Sequence, residues 1–241
     1  MAHELNAIGQ AIGVTVPNWT APPWPPTDPM AGRFCRLELL NAGQHAADLF
    51  AANRLDADNR NWTYLPYGPF DTPAEYTAWV ESVANRRDPQ FWAIVDLASG
   101  KPVGVASYLR INPTDGSIEV GSINYSPLLQ RKPAGTEAMY LMMQRAFELG
   151  YRRYEWKCNA LNAPSRAAAQ RLGLSYEGIF RQCLVVKGHN RDTAWYAAID
   201  SEWPALDRAF TQWLDPSNFD QEGRQRVALG RLTSPILVMR G

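Results

Sequence analysis

Ser117-Ile-Glu-Val-Gly-Ser-Ile-Asn-Tyr125, then Ser126-Pro-Leu-Leu-Gln-Arg-Lys-Pro-Ala-Gly135, then Thr136-Glu-Ala-Met-Tyr-Leu-Met-Met-Gln-Arg-Ala-Phe-Glu-Leu149 is the stretch on which the fold turns. Ile118, Val120 and, past Gly121, Ile123 give the first block the character of a strand. In the third block Met139, Met142, Met143, Ala146 and Phe147 recur at helical spacing, and Gly150 stands where a helix would end. Between them lies a loop over 126–135 holding Gln130–Gly135, whose amides, apart from Pro133, would be free at a helix N-terminus with the dipole's positive end behind them. Arg131 and Lys132 add full charge. Several N–H donors, a glycine and a cationic rim at a helix start suit a pyrophosphate, although a solvated basic turn before an ordinary helix has the same composition.

Outward from this centre, strand-like and helix-like segments alternate. Upstream come a strand over Phe34–Leu40, a helix over Gln44–Asn53 and an aromatic loop over Trp62–Phe70. Thr72, Pro73 and Glu75 then open a helix that buries Tyr76, Trp79, Val80 and Val83, and a hairpin joins Phe91–Asp96 to Val103–Ile111. Downstream, Arg153–Asn159 reads as a strand, Ala163–Leu172 as a short helix, and Ser175–Phe180, Gln182–Lys187 and Thr193–Ile199 as strands. Trp203, Leu206, Phe210, Trp213 and Leu214 mark an amphipathic helix stopped by Asp215-Pro216, followed by a weaker helix and the apolar tail Ile236–Met239. Six prolines between Pro17 and Pro29 fix an extended strap. The implied organisation is an extension over 1–33, a main domain over 34–200 and a helical extension with a tail over 201–241.

Composition narrows the function classes. Apolar residues make up 46% and charged residues 20% of the 241, which excludes a mainly disordered chain. Lys and Arg together number 24, as do Asp and Glu, so neither nucleic acid nor an anionic membrane is expected as a partner. Three cysteines, Cys35, Cys158 and Cys183, form no CxxC pair, and the three histidines form no cluster, so no disulfide framework and no metal is expected. No apolar run is long enough to span a membrane, and the start lacks the pattern of a signal peptide, so a cytoplasmic location is expected. There is no GxGxxG after a strand, no P-loop and no GxSxG elbow.

From Phe34 to about Asp200 the chain resembles the GCN5-related N-acetyltransferase (GNAT) family, and within it the branch that acetylates ribosomal-protein N-termini. The resemblance is carried by the order of elements and by Gln130-Arg-Lys-Pro-Ala-Gly135-Thr-Glu-Ala. It is also carried by Tyr154-Glu-Trp-Lys-Cys-Asn-Ala-Leu-Asn162-Ala-Pro-Ser165 and Gly173-Leu-Ser-Tyr-Glu-Gly178-Ile-Phe-Arg181. In the family's phosphate loop, Gln130 and Gly135 match while Pro133 replaces a glycine. The fold implied is α/β (α+β), a mixed twisted sheet with splayed parallel strands flanked by helices. The co-substrate implied is acetyl-CoA, without metal. Ile123, Asn124 and Tyr125 would face its acetyl and pantetheine end, and Gln130, Arg131, Lys132, Ala134, Gly135 and Thr136 would hold its pyrophosphate. Asn162 matches the side chain that bonds the pantetheine arm, or else caps the following helix.

The family's frequent thiolate-protonating tyrosine falls at Ala169 and is absent. Ser165 matches the serine of the ribosomal branch that can bond the CoA sulfur, or else satisfies the first helical turn. Glu119 is the leading base, against the alternative of a salt-bridged strand glutamate; Glu155 and Glu177 are weaker candidates. Cys158 reads as a buried structural thiol.

The activity implied is direct attack of a primary amine, on a protein N-terminus or a small molecule, in a ternary complex. An α-amine with a pKa of about 8 is roughly one quarter neutral near pH 7.4, whereas a lysine is neutral about one part in a thousand, a further cost of around 3–4 kcal/mol. Uncertain base machinery therefore favours weakly basic amines. The aromatic loop and the helix after it are expected to wall the acceptor cleft. A non-catalytic acyl-CoA-binding module is the alternative, and a homodimer is left open.

Overall fold

The computed structural model describes residues 3–241, so the first two residues of the 1–33 extension lie outside it. A small hairpin, β1 (Glu4–Leu5) and β2 (Ala11–Ile12), precedes the strap and has no strong sequence signal. The strap ends in β3 (Met30–Ala31), a strand hidden within a proline-rich stretch. Then follow β4 (Cys35–Leu39), α1 (Ala42–Asn53), α2 (Pro73–Ala84), β5 (Gln90–Asp96), β6 (Lys101–Asn112), β7 (Ser117–Tyr125) and α3 (Pro133–Glu148). The chain continues through β8 (Arg153–Asn159), α4 (Ala163–Arg171), β9 (Ser175–Val186), β10 (His189–Ile199), α5 (Trp203–Leu214) and α6 (Leu229–Thr233).

The strands β3 to β10 form one mixed sheet of eight, in the order β3-β4-β5-β6-β7-β8-β10-β9. Every neighbouring pair is antiparallel except β7 with β8, which is parallel. On one face Met139, Met142, Met143 and Phe147 of α3 and Leu206, Phe210 and Trp213 of α5 join a core with Ile118, Val120, Tyr154 and Trp156. Each such side chain removed from water is worth about 1.5–3 kcal/mol. The other face carries α1 and α2, where Leu49, Tyr76, Val80 and Val83 pack on Phe91, Ala93 and Val105. The capping box at the start of α2 is complete: Thr72 accepts from the Glu75 amide, and Glu75 reaches back to the Thr72 amide.

Three elements differ from the sequence reading. The helix expected from Thr136 starts at Pro133, because proline at the first helical position has its φ already set and needs no donor. The two expected strands over 175–187 are one strand, β9, kinked where Gln182 adopts φ 50°. The hairpin turn after it is Lys187-Gly188, with His189 already in β10.

The strap lies along the body, held by donors that meet its carbonyls. Gln90 Nε2 donates to Pro25 O at 3.0 Å, Tyr151 Oη to Pro23 O at 3.1 Å, and Arg145 to Asp28 O at 2.7 Å. At its end, Glu137 in the second turn of α3 is 3% exposed and accepts the amides of Arg33 at 2.7 Å, Phe34 at 2.6 Å and Cys35 at 2.8 Å. Gly32 permits this approach: a Cβ there would fall 2.3 Å from the Glu137 carboxyl carbon.

Candidate active site

β7 and β8 pair from Ser117 with Arg153 to Val120 with Trp156, and no further. Both strands continue, β7 to Tyr125 and β8 to Asn159, so they part. The cause lies in β7, where the register against β6 slips between Gly121 and Asn124 and Ser122 takes φ 50°. This is a β-bulge, which bends its strand and ends the pairing. Residues Gly121–Tyr125 thus have no strand partner on the side facing β8. Tyr67 Oη donates to Ser122 O at 3.3 Å, so the loop after α1 sits over the bulge.

Beyond it the 126–132 turn leads into α3. Arg131 has φ 60°, and no side chain caps the helix; the Lys132 and Gly135 amides donate to Leu129 O and Lys132 O at 3.2 Å, while the Arg131 and Ala134 amides are not used in this way. Gln130 Nε2 donates to Asn61 Oδ1 at 2.8 Å and to Tyr125 O at 2.9 Å, fixing the turn, while Arg131 and Lys132 are exposed. Ala134, Gly135 and Thr136 are buried. Thr136 Oγ1 accepts from Arg171 at 2.9 Å, which brings a cation from α4 to this turn; no local signal in the sequence announces it. Gly135 answers to Tyr125: a Cβ would meet the phenol ring at 2.9 Å, and the Tyr125 hydroxyl donates to Gly135 O at 2.7 Å. Uncapped amides, parted strands and three nearby cations fit a pyrophosphate and an extended amide-bearing arm.

The three residues at the end of β7, expected to face the acetyl and pantetheine end, have different surroundings. Ile123 packs on the main core. The Tyr125 ring lies beneath α3, and its carbonyl is taken by Asn61 and Gln130. Asn124 is buried opposite Val105, and its amide oxygen and nitrogen have no hydrogen-bond partner. From Gly121 to Tyr125 only Asn124 is fully buried, and the main chain of this segment has no strand partner on the β8 side.

On the α4 side, Asn162 Oδ1 accepts the Ser165 amide at 3.2 Å and so caps the helix. Ser165 Oγ accepts from Trp156 Nε1 at 3.0 Å and lies beside Cys158, whose thiol burial pushes up in pKa. Ala169 is fully buried, in a core position.

Glu119 is 2% exposed and lies within a chain of alternating charges. Arg110 reaches its Oε1 at 2.8 Å and Lys157 its Oε2 at 2.9 Å. Lys157 also meets Glu155 at 2.7 Å, Glu155 meets Arg153 at 2.6 Å, and Arg153 donates to Glu177 at 2.7 Å. Burial raises the Glu119 pKa above the usual carboxylate value, although both cations pull it down. Glu155, which burial would also raise, ends below its usual value because Lys157 and Arg153 both bond it. Lys157, its side chain 8% exposed, lies 3.8 Å over the Trp195 ring. Sequence reasoning missed Lys157 and Arg110. Alternation along Glu155-Trp-Lys157 puts both charges on one face, but only the β7–β8 register brings Glu119 to them.

A cleft of about 650 Å³ opens beside the parted strands, between the loop over 59–69 and the tip of the β9–β10 hairpin. Trp62, Tyr64 and Pro69 line one wall and Val186, Lys187 and Arg191 the other. Helix α2 stands behind the loop instead of lining this cleft. Its Tyr76 and Trp79 pack against Trp62, Tyr67 and Phe70. Among the described residues, no group of three His, Cys, Asp or Glu gathers as a metal site, and no helix is long and apolar enough to cross a membrane.

Residues 36–175 match the family model for the Acetyltransferase (GNAT) domain. The chain belongs to the GNAT family. A GCN5-related N-acetyltransferase from Brucella melitensis is 48% identical, with a TM-score of 0.89 over 91% of this chain and 100% of that one. A structure named a probable GNAT-family acetyltransferase, from Chromobacterium violaceum, is 36% identical, with a TM-score of 0.75 over 80% of this chain and 97% of its own. The uncharacterized N-acetyltransferase YnaD of Bacillus subtilis is 28% identical over 157 residues, 65% of this GNAT chain and 90% of YnaD. The mixed sheet with its parted parallel strands is the GNAT fold.

Proposed function

We propose that this chain transfers an acetyl group from acetyl-CoA to a primary amine, either the α-amine of a protein N-terminus or that of a small molecule. One observation carries the reading: β7 and β8 separate after Val120 and Trp156, beside the uncapped first turn of α3. Acetyl-CoA would supply the acetyl group as an activated thioester. The backbone of Gly121–Tyr125 would bond the pantetheine arm as a strand. The free amides between Arg131 and Thr136, with Arg131, Lys132 and Arg171, would hold the pyrophosphate. Glu119 would take the proton of the acceptor amine through water, since its carboxylate is buried. Ser165, fixed by Trp156, would donate toward the departing sulfur. The position of Ser165 after Asn162 supports the ribosomal-type branch, and with it an N-terminal amine.

The deciding experiment incubates the protein with acetyl-CoA and a panel of peptides and small amines, following thiol release and a gain of one acetyl group by mass spectrometry. Thiol release above background with an acetylated product is expected; coenzyme A binding without release would leave only a binding module. Gly135→Glu should weaken coenzyme A binding by about two orders of magnitude in calorimetry, because the new side chain displaces Tyr125 and sets a carboxylate against the phosphates. Unchanged affinity would remove the phosphate assignment. Ser165→Ala should lower kcat about tenfold, the worth of one hydrogen bond, with little change in the KM for acetyl-CoA. An intact rate would leave Ser165 a structural hydroxyl.

A further inference from the structure

The cleft between the aromatic loop and the β9–β10 hairpin carries charge of one sign. Lys187 and Arg191 line it, together with His189, Asn159 and Asn190, and no carboxylate does. The whole chain balances Lys plus Arg 24 against Asp plus Glu 24, so the bias is local and not a reflection of net charge.

The acids near it in sequence are engaged elsewhere. Asp192 accepts from the Gln182 amide at 2.7 Å and from Asn190 Nδ2 at 3.0 Å, and Asp58 pairs with Arg60. Glu119, the nearby buried carboxylate, is held by Arg110 and Lys157. Arg191 is left without a match: its Nε is buried and has no partner. Burial also lowers the pKa of this guanidinium, a cost to its charge that an incoming anion would offset. Lys187 donates to Trp62 O at 2.8 Å, which places its ammonium at the rim with donors to spare.

We propose that the acceptor is an anionic amine: its reactive nitrogen enters beside the parted strands while a carboxylate or phosphate elsewhere on the same molecule is bound by Arg191 and Lys187. The proposal rests on the transferase reading, because it takes this cleft as the acceptor's. An acidic peptide N-terminus and a small phosphorylated amine share this chemistry, and both belong in the test.

The probes are the amidated tripeptides Ser-Glu-Glu, Ser-Gln-Gln and Ser-Lys-Lys, together with O-phosphoethanolamine. Their binding to the full chain saturated with coenzyme A is measured by calorimetry, so the result does not depend on turnover. At least one anionic probe should bind about tenfold tighter than the neutral peptide, and the basic peptide should bind weakest. Which anionic probe wins separates a peptide from a small-molecule source. The preference should shrink at high salt and in Arg191→Gln, with Lys187→Gln as the second variant should the first fail to fold. Equal affinities, preference for the basic peptide, or no binding by either anionic probe would overturn the proposal. Thiol release with acetyl-CoA is scored separately: anion binding without release would keep the site and remove the transferase reading.

Discussion

Glu137→Ala is expected to lower the melting temperature by about 10 °C, from a loss of about 4 kcal/mol. The carboxylate is buried and gathers three main-chain amides, those of Arg33, Phe34 and Cys35. Hydrogen bonds to a charged acceptor are worth about 1.5–3 kcal/mol each, and their removal leaves the buried Cys35 amide without this partner. The three do not add in full, because the freed segment relaxes. Burial and the neighbouring Glu137 together push the Cys35 thiol pKa upward, so the cysteine is inert and stands in for nothing when the carboxylate goes. Glu137→Gln should lose less, since the amide oxygen still accepts. A thermal or urea melt decides this, and a wild-type midpoint for the alanine variant would show that the clamp contributes nothing.

Glu119→Gln is expected to reduce kcat by about two orders of magnitude, with acetyl-CoA binding unchanged. The fold should survive, because Lys157 keeps Glu155 and the Arg110 side chain is half exposed to water. The pH dependence adds a sign. A base works when unprotonated, and burial places the Glu119 pKa above the ordinary carboxylate value, so the rate should fall as pH drops through that raised value. Lys157→Met removes a cation that opposes the rise, so the acid limb of kcat against pH should move toward higher pH. A wild-type rate in the glutamine variant, or a limb that stays in place in the methionine variant, would acquit Glu119.

How far the sequence discloses these features depends on the range over which each is determined. The Met139–Phe147 stripe and the Thr72–Glu75 box are local patterns, and both correspond to helices whose buried faces are the expected ones. The parted strands were legible only through the family resemblance, because the break in pairing needs the register of β7 against β6 and β8. Glu137 reads locally as a polar residue off the methionine stripe, and its amide partners lie about a hundred positions upstream. Gly135 read as room for phosphate, whereas its missing side chain is filled by Tyr125. The cationic cleft escaped because Lys187 and Arg191 meet Trp62 and Tyr64 only once the hairpin tip folds over the aromatic loop.

The strap has one further consequence, for self-association. Proline has no N–H, so this segment offers acceptors and few donors, and it leads into a strand of only two residues at the end of the sheet. A foreign strand finds no ladder to extend there. The opposite margin is β9, twelve residues long, with Ile179, Phe180, Leu184 and Val185 exposed and only its start occupied, where Tyr176 donates to Met239 O at 3.0 Å. Strand addition is therefore blocked by composition at the proline side, whereas the β9 margin is interrupted by its kink at Gln182.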